Sequence, residues 1–346
     1  MINDYRVKEA LSKLLSGDSL TREEARHVME DIMRGDVTPA QIGALLAGLR
    51  FKGETVDEIT GLAEGMRNAA KQVITSREQL LDTCGTGGSG IHKLNVSTVS
   101  AIIAASASVR VAKHGNRSAS SRSGSADVLE ALGVNIHLSS ESAAECLDRI
   151  GICFMFAQMF HPAMKYAAAP RRELGIRTVF NMLGPLTNPA GADRQLLGIY
   201  DKSKTDTVAA VLRELGLKRA MVVSSLDGLD EIGLSAPTRI SELRNGDLRT
   251  YELTPEDMGL RTQSLSDVLG GEAADNAKII VNILNGERGA HRDIVLANAG
   301  ACIYVSGQAD SIREGVQIAA DMIDTGKANS KLQQLIETTG GMSHVS

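Results

Sequence analysis

No run in this 346-residue chain approaches the roughly 18 apolar residues of a membrane-spanning helix. The first residues, MINDYRVKEALSKLL, mix charge with apolar positions and lack a signal-peptide core, so the expected location is the cytoplasm. Basic excess is also missing. Lys plus Arg is 37 against 42 Asp plus Glu, a net charge of −5, which argues against a mainly electrostatic nucleic-acid binder. Cysteines are few and scattered, at Cys84, Cys146, Cys153 and Cys302, with no CxxC pair and no zinc spacing. They read as reduced thiols. Tryptophan is absent, but with aromatics at only 3% that absence excludes nothing. What is present is a globular composition, 43% hydrophobic and 23% charged, with 34 glycines.

Residues 1–72 read as a small helical domain. Thr21 with Glu24, Thr38 with Gln41 and Thr55 with Glu58 fit the capping box, and Pro39 takes the first helical position. Ala25, Val28, Met29, Ile32 and Met33 form one apolar face. That face suits a dimer surface or packing within the chain. A later helix near 165–190 is a candidate to complete this domain. Residues 73–346 read as a large α/β domain. Strand candidates Leu80–Cys84, Val109–Ala112, Ile152–Phe156, Leu196–Tyr200 and Met221–Ser224 alternate with helical stretches, predicting a mainly parallel central sheet flanked by helices. Residues 240–253 predict a hairpin around Asn245-Gly246.

Five segments carry chemistry. Gly85-Thr86-Gly87-Gly88-Ser89-Gly90 lets backbone N–H groups approach an anion, or simply makes a tight strand–helix turn. It fits neither the dinucleotide nor the P-loop pattern. Asn95-Val96-Ser97-Thr98 opens a helix, where these side chains either cap it or bind phosphate and a hard cation; Lys93 adds charge. Lys113 to Ser125 packs three cations, His114 and five serines together, as a polyanion cradle or a solvated basic loop. Residues 161–189 hold His161, Arg171 and four of the seven prolines; an Arg beside a rigid turn suits carboxylate recognition, or a surface ion pair. Asp227-Gly228-Leu229-Asp230-Glu231 places adjacent carboxylates after a strand, as for Mg²⁺ or for a turn of solvated acids.

Together, CGTGGSG with NVST, KHGNRSASSRSGSADVLEALG, HPAMK…RRELGIRTVFNMLGPLTNP and DGLDE resemble the anthranilate phosphoribosyltransferase family, across residues 84–231 and, with both helical ends, nearly the whole chain. The resemblance implies a nucleoside-phosphorylase-like fold with the site between the two domains. It implies transfer of the phosphoribosyl group of 5-phosphoribosyl-1-pyrophosphate (PRPP) to the amino group of anthranilate, in tryptophan biosynthesis, with Mg²⁺. A homodimer through the N-terminal helices is implied too, and no nucleic-acid or membrane partner. The rival readings are a pyrimidine nucleoside phosphorylase of the same fold and a non-catalytic nucleic-acid-binding relative.

Matched residue by residue, the resemblance implies PRPP binding by Gly85, Gly87, Gly88, Ser89, Lys93, Asn95, Val96, Ser97, Thr98, Lys113, His114, Gly115, Asn116, Arg117, Ser118, Ala119, Ser120, Ser121 and Ser125. It implies anthranilate binding by Gly85, Asn116, Arg171 and His161, and Mg²⁺ ligation by Ser97, Asp230 and Glu231. The chain departs from many members by Ser89 in place of Asp, Lys93 in place of a small hydroxyl residue and Leu94 in place of Phe. The first two changes are expected to strengthen phosphate attraction.

Overall fold

The computed structural model describes residues 4–88, 90–118 and 122–342. Its first unit is set by three capping boxes. The Glu24 carboxylate accepts from Thr21 N–H while Thr21 Oγ1 accepts from Glu24 N–H, and Thr38 with Gln41 and Thr55 with Glu58 repeat the exchange. They open the helices Arg22–Arg34, Pro39–Lys52 and Val56–Asn68, after a helix over Asp4–Leu15. Gly35, at φ 82°, ends the first, and Tyr166 packs 2.7 Å from where its Cβ would stand.

The face left open by the sequence turns inward. Ala25, Val28, Met29, Ile32 and Met33 are all buried within the chain. Burying each larger side chain contributes roughly 1.5–3 kcal/mol. Their apolar cluster takes in Ala167, Val179, Phe180, Leu183 and Leu186 from further along the chain, and Leu197 and Val222 from the sheet.

The sheet has seven strands: β1 Leu80–Gly85, β2 Arg110–Gly115, β3 Ile152–Phe156, β4 Arg194–Gly198, β5 Arg219–Ser225, β6 Thr238–Arg244 and β7 Asp247–Leu253. Their order is β3-β2-β1-β4-β5-β6-β7, with the first five parallel and β6 and β7 antiparallel. β3 is buried along its whole length, as a parallel strand covered on both faces must be. The hairpin turns at Asn245 (φ 54°) and Gly246 (φ 88°), the pair of positive φ values that suits two-residue hairpins.

Two strands shift most from expectation. β4 starts and ends two residues before Leu196–Tyr200, because the polar Arg194 and Gln195 belong to it. β2 runs on through Lys113, His114 and Gly115, pairing with Phe154, Met155 and Phe156 of β3. Its polar end reads as loop in sequence, yet Lys113 and His114 are buried. Among the described residues no helix is long and apolar enough to cross a membrane. The four cysteines are free and buried.

The chain winds outward from β1 to β3, then crosses back to add β4 and β5 on the other side of β1. The crevice at the carboxyl ends of β1 and β4 is the topological switch point where open α/β sheets bind ligands.

Candidate functional site

At that crevice β1 and β4 end on paired glycines, Gly85 and Gly198. The turn after β5 lies directly on them. A Cβ on Gly198 would stand 2.0 Å from the Asp230 carbonyl oxygen, and one on Gly85 would stand 2.9 Å from Asp230 Oδ2. Gly87 N–H donates to that same Oδ2 at 3.1 Å. These glycines therefore admit the protein's own acidic turn. Gly87 and Gly88 have φ of 64° and 81°, which only glycine adopts readily. The Gly88 carbonyl accepts from Arg177, whose guanidinium stacks 4.0 Å from the Tyr200 ring centroid. Ser89 lies outside the described residues.

Asp230 and Glu231 are buried, and Lys93 Nζ donates to Asp230 Oδ1 and Glu231 Oε1, each at 2.8 Å. In this arrangement the Lys93 ammonium is held by the two carboxylates. Opposite charges within hydrogen-bond reach claim the ammonium first. The turn is anchored by Asn298, whose side chain accepts from Ile232 N–H and donates to the Ile232 carbonyl, both at 3.0 Å.

The helix Val96–Ser106 begins beside the pair, and no side chain caps it. Asn95 instead joins a loop to a helix: it donates to the Ser123 carbonyl at 3.1 Å and accepts from Asn276, on the helix Ala273–Leu284, at 2.9 Å. The helix N-terminus is left for another acceptor. Val96 is fully buried, so only its backbone can reach a ligand. Thr98 Oγ1 is buried without a hydrogen-bond partner among the described residues. Ser97 Oγ accepts from Lys113 Nζ at 3.2 Å, and Lys113 also donates to the Thr83 carbonyl at 2.5 Å.

One strand over, the His114 and His161 rings face each other, centroids 5.1 Å apart and tilted by 50°. Burial pulls His114 down to about 3, helped by His161, and burial pulls His161 down to about 4, so both are neutral near pH 7. His161 Nε2 bonds to the Thr187 carbonyl at 3.1 Å, while His114 Nε2 is buried and unpartnered among the described residues. Asp82 on β1 accepts from His114 N–H at 3.1 Å, and burial pushes it up to about 6 against the pull of Lys113. Arg171 sits on the helix Lys165–Leu174, its guanidinium 5.0 Å from the Phe180 ring centroid. It is half-buried and makes no hydrogen bond or ion pair among the described residues.

The loop after β2 is braced by Asp127. Its carboxylate accepts from Gly124 N–H at 2.8 Å and Ser118 N–H at 3.1 Å, and from Arg117 at 2.8 Å. Arg117 also pairs with Glu130 at 2.5 Å, so its guanidinium acts as a strut in this arrangement. Asn116 is exposed, and its carbonyl accepts from Ser125 Oγ at 3.2 Å. Gly115 packs so closely that a Cβ would stand 2.3 Å from Ser125 Oγ. Ala119, Ser120 and Ser121 lie outside the described residues.

Gly87, Lys93, Asp230 and Glu231 thus form one bonded group with Gly85 packed against it, Ser97 is bonded to Lys113, and the His114 and His161 rings face each other. Ser97 is not bonded to the acid pair, and no cluster of three metal-binding side chains occurs among the described residues. Asn276, Asn298, Asp127 and Asp82 were not singled out from sequence. Asn298 left a signal, a lone amide in the apolar run Ile294–Val305, and so did Asp82, a lone acid inside a buried strand.

The glycosyl transferase family models match both parts of the chain, the helical bundle domain over residues 8–70 and the a/b domain over 77–329. An anthranilate phosphoribosyltransferase of Brevibacillus brevis is 54% identical over 337 residues, covering 97% of this chain and 99% of that one. The crystal structure of the Thermus thermophilus enzyme of that name superposes with a TM-score of 0.92 at 42% identity, covering 96% and 99% of the two chains. A Saccharomyces cerevisiae enzyme of the same name, in complex with PRPP and Mg, shares the fold at 24% identity, with a TM-score of 0.90 over 99% of both chains. By near-complete coverage at this identity, the chain belongs to the anthranilate phosphoribosyltransferase family of glycosyl transferases.

Proposed function

We propose that this crevice moves the phosphoribosyl group of PRPP onto the amino nitrogen of anthranilate, releasing pyrophosphate, as a step of tryptophan biosynthesis. The observation that carries the reading is the meeting at the carboxyl ends of β1, β2 and β5. There an uncapped helix N-terminus with an unpartnered Thr98 hydroxyl stands beside Lys113 and the buried Asp230–Glu231 pair. An uncapped N-terminus and a buried lysine suit phosphate oxygens. Hard carboxylate and hydroxyl oxygens suit Mg²⁺ completed by substrate phosphates. Asp230, Glu231 and Ser97 would hold it, and bound there it would stabilise charge on the departing pyrophosphate.

Arg171 is the group we assign to the anthranilate carboxylate, because it is a half-buried cation without an acidic partner among the described residues. His114 and His161, both neutral, offer the aromatic ring an uncharged wall. The aniline nitrogen is already neutral near pH 7, so it attacks with its lone pair free and needs no strong base. The C–N bond forms as the C–O bond to pyrophosphate breaks, and the amine proton leaves afterwards. Positioning and electrostatics supply the rate. Gly85, Gly87, Gly88, Asn95, Gly115, Asn116, Ser118 and Ser125 serve as the backbone and polar walls of the PRPP subsite.

We also assign residues 1–72 and 73–346 to two domains, place the protein in the cytoplasm and propose a homodimer through the N-terminal helices. Exposed Phe51, at 96%, and Leu15, at 78%, support an apolar contact there. The deciding assay follows anthranilate fluorescence with PRPP and Mg²⁺. Loss that needs both supports the transfer. No loss, together with phosphorolysis of thymidine or uridine, would favour the nucleoside phosphorylase instead.

A further inference from the structure

The Lys93 ammonium meets three oxygens: Asp230 Oδ1 at 2.8 Å, Glu231 Oε1 at 2.8 Å and the Asp230 carbonyl at 3.2 Å. An ammonium has three N–H donors, so this set satisfies it fully. Its surroundings are built, not loose. Asp230 and Glu231 are 1% and 5% exposed at the side chain, and Lys93 is 17% exposed. The Lys93 backbone forms a bridge with Leu269. Gly270 N–H donates to the His92 carbonyl at 2.8 Å, and a Cβ on Gly270 would stand 2.7 Å from Leu94 N.

We infer that Lys93 is the resident counter-cation of the Asp230–Glu231 pair and keeps a divalent metal off it until the phosphates of bound PRPP draw the ammonium away. The inference rests on the reading of that pair as metal-binding. A lone Mg²⁺ meets two carboxylates that already face a positive charge. It must displace the lysine or sit against it, and either is unfavourable at this burial. PRPP phosphates offer Lys93 other acceptors and release the carboxylates. Metal and PRPP then favour each other's binding reciprocally. Where family members carry a small hydroxyl residue at this position, no such counter-cation exists, so the coupling is a property of this chain's own Lys93.

The test uses Mn²⁺ as the probe. Its free electron-paramagnetic-resonance signal is titrated against the wild type, Lys93→Thr and Lys93→Gln, each with and without PRPP. Without PRPP, both variants are expected to bind Mn²⁺ at least about tenfold more tightly than the wild type. PRPP is expected to tighten Mn²⁺ binding in the wild type and to do so much less in the variants. Adding Asp230→Asn to Lys93→Thr is expected to abolish the gain. Equal Mn²⁺ affinity in the wild type and either folded variant overturns the inference, and so does a wild-type affinity that PRPP leaves unchanged. Circular dichroism checks folding, and if one variant is unfolded the other decides. The fluorescence assay is read separately. Turnover with equal Mn²⁺ affinities sinks the lysine's role alone, whereas Lys93-dependent Mn²⁺ binding without turnover sinks the transferase reading and leaves the counter-cation in place.

Discussion

Acidification should weaken this fold above the ordinary carboxylate range, through His114 and His161. Both are 6% exposed, and their folded pKa values fall from 6.5 to about 3 and about 4. A depressed histidine contributes fully above its unfolded pKa, and the contribution is lost as pH falls, because the unfolded chain takes the proton first. At pH 5 each imidazole is 1.5 pH units below that value, a cost of about 2 kcal/mol apiece at about 1.4 kcal/mol per unit. Asp82 acts in the opposite sense. Its folded value is raised from 3.8 to about 6, so acidification to pH 5 returns about 1.4 kcal/mol. The expected net loss between pH 7 and pH 5 is about 3 kcal/mol, a large part of an ordinary domain's stability. Urea unfolding at both pH values measures it. His161→Gln should recover about 2 kcal/mol of the difference. A wild type equally stable at both pH values, or a variant with the same loss, would refute this account of the pair.

Other expectations concern single side chains. Arg171→Ala should raise the anthranilate KM by about 30-fold or more by removing a charge-assisted contact, and steady-state kinetics showing KM and kcat unchanged would remove Arg171 from the site. Gly198→Ala forces a Cβ against the Asp230 carbonyl, 2.0 Å away, and so should lower stability by about 1–3 kcal/mol and slow transfer together. Normal turnover with unchanged unfolding would contradict the tight packing. Asn298→Ala strands both backbone groups of Ile232, and denaturant unfolding should show a loss of about 2 kcal/mol or more. Phe51→Glu should shift the protein from dimer to monomer in analytical ultracentrifugation, while a variant that sediments like the wild type would move the contact elsewhere.

Local chemistry was legible in the residue order. The three threonine capping boxes, the Asn-Gly hairpin and the apolar strands appear where short-range pattern puts them, because each is decided by a few neighbouring residues. The family motifs were legible for the same reason, as unbroken strings along the chain. Contacts between strings were not. Nothing in CGTGGSG says that Gly85 and Gly198 lie under Asp230, or that residues 167–186 pack into the helical unit. Asn298 and Asn276 work from far along the chain, so their partners at Ile232 and Asn95 are invisible until the sheet is assembled.

Lys93 marks the boundary. Its charge and its place beside the Gly-rich turn are written in the sequence, and from those it reads as one more cation for phosphate. Only the crossing from β3 back to β4, which brings the turn after β5 over the end of β1, sets the Asp230 and Glu231 carboxylates 2.8 Å from its nitrogen. Sequence determines which charges exist; because electrostatic attraction falls with distance and grows with burial, the tertiary structure decides which of them find each other.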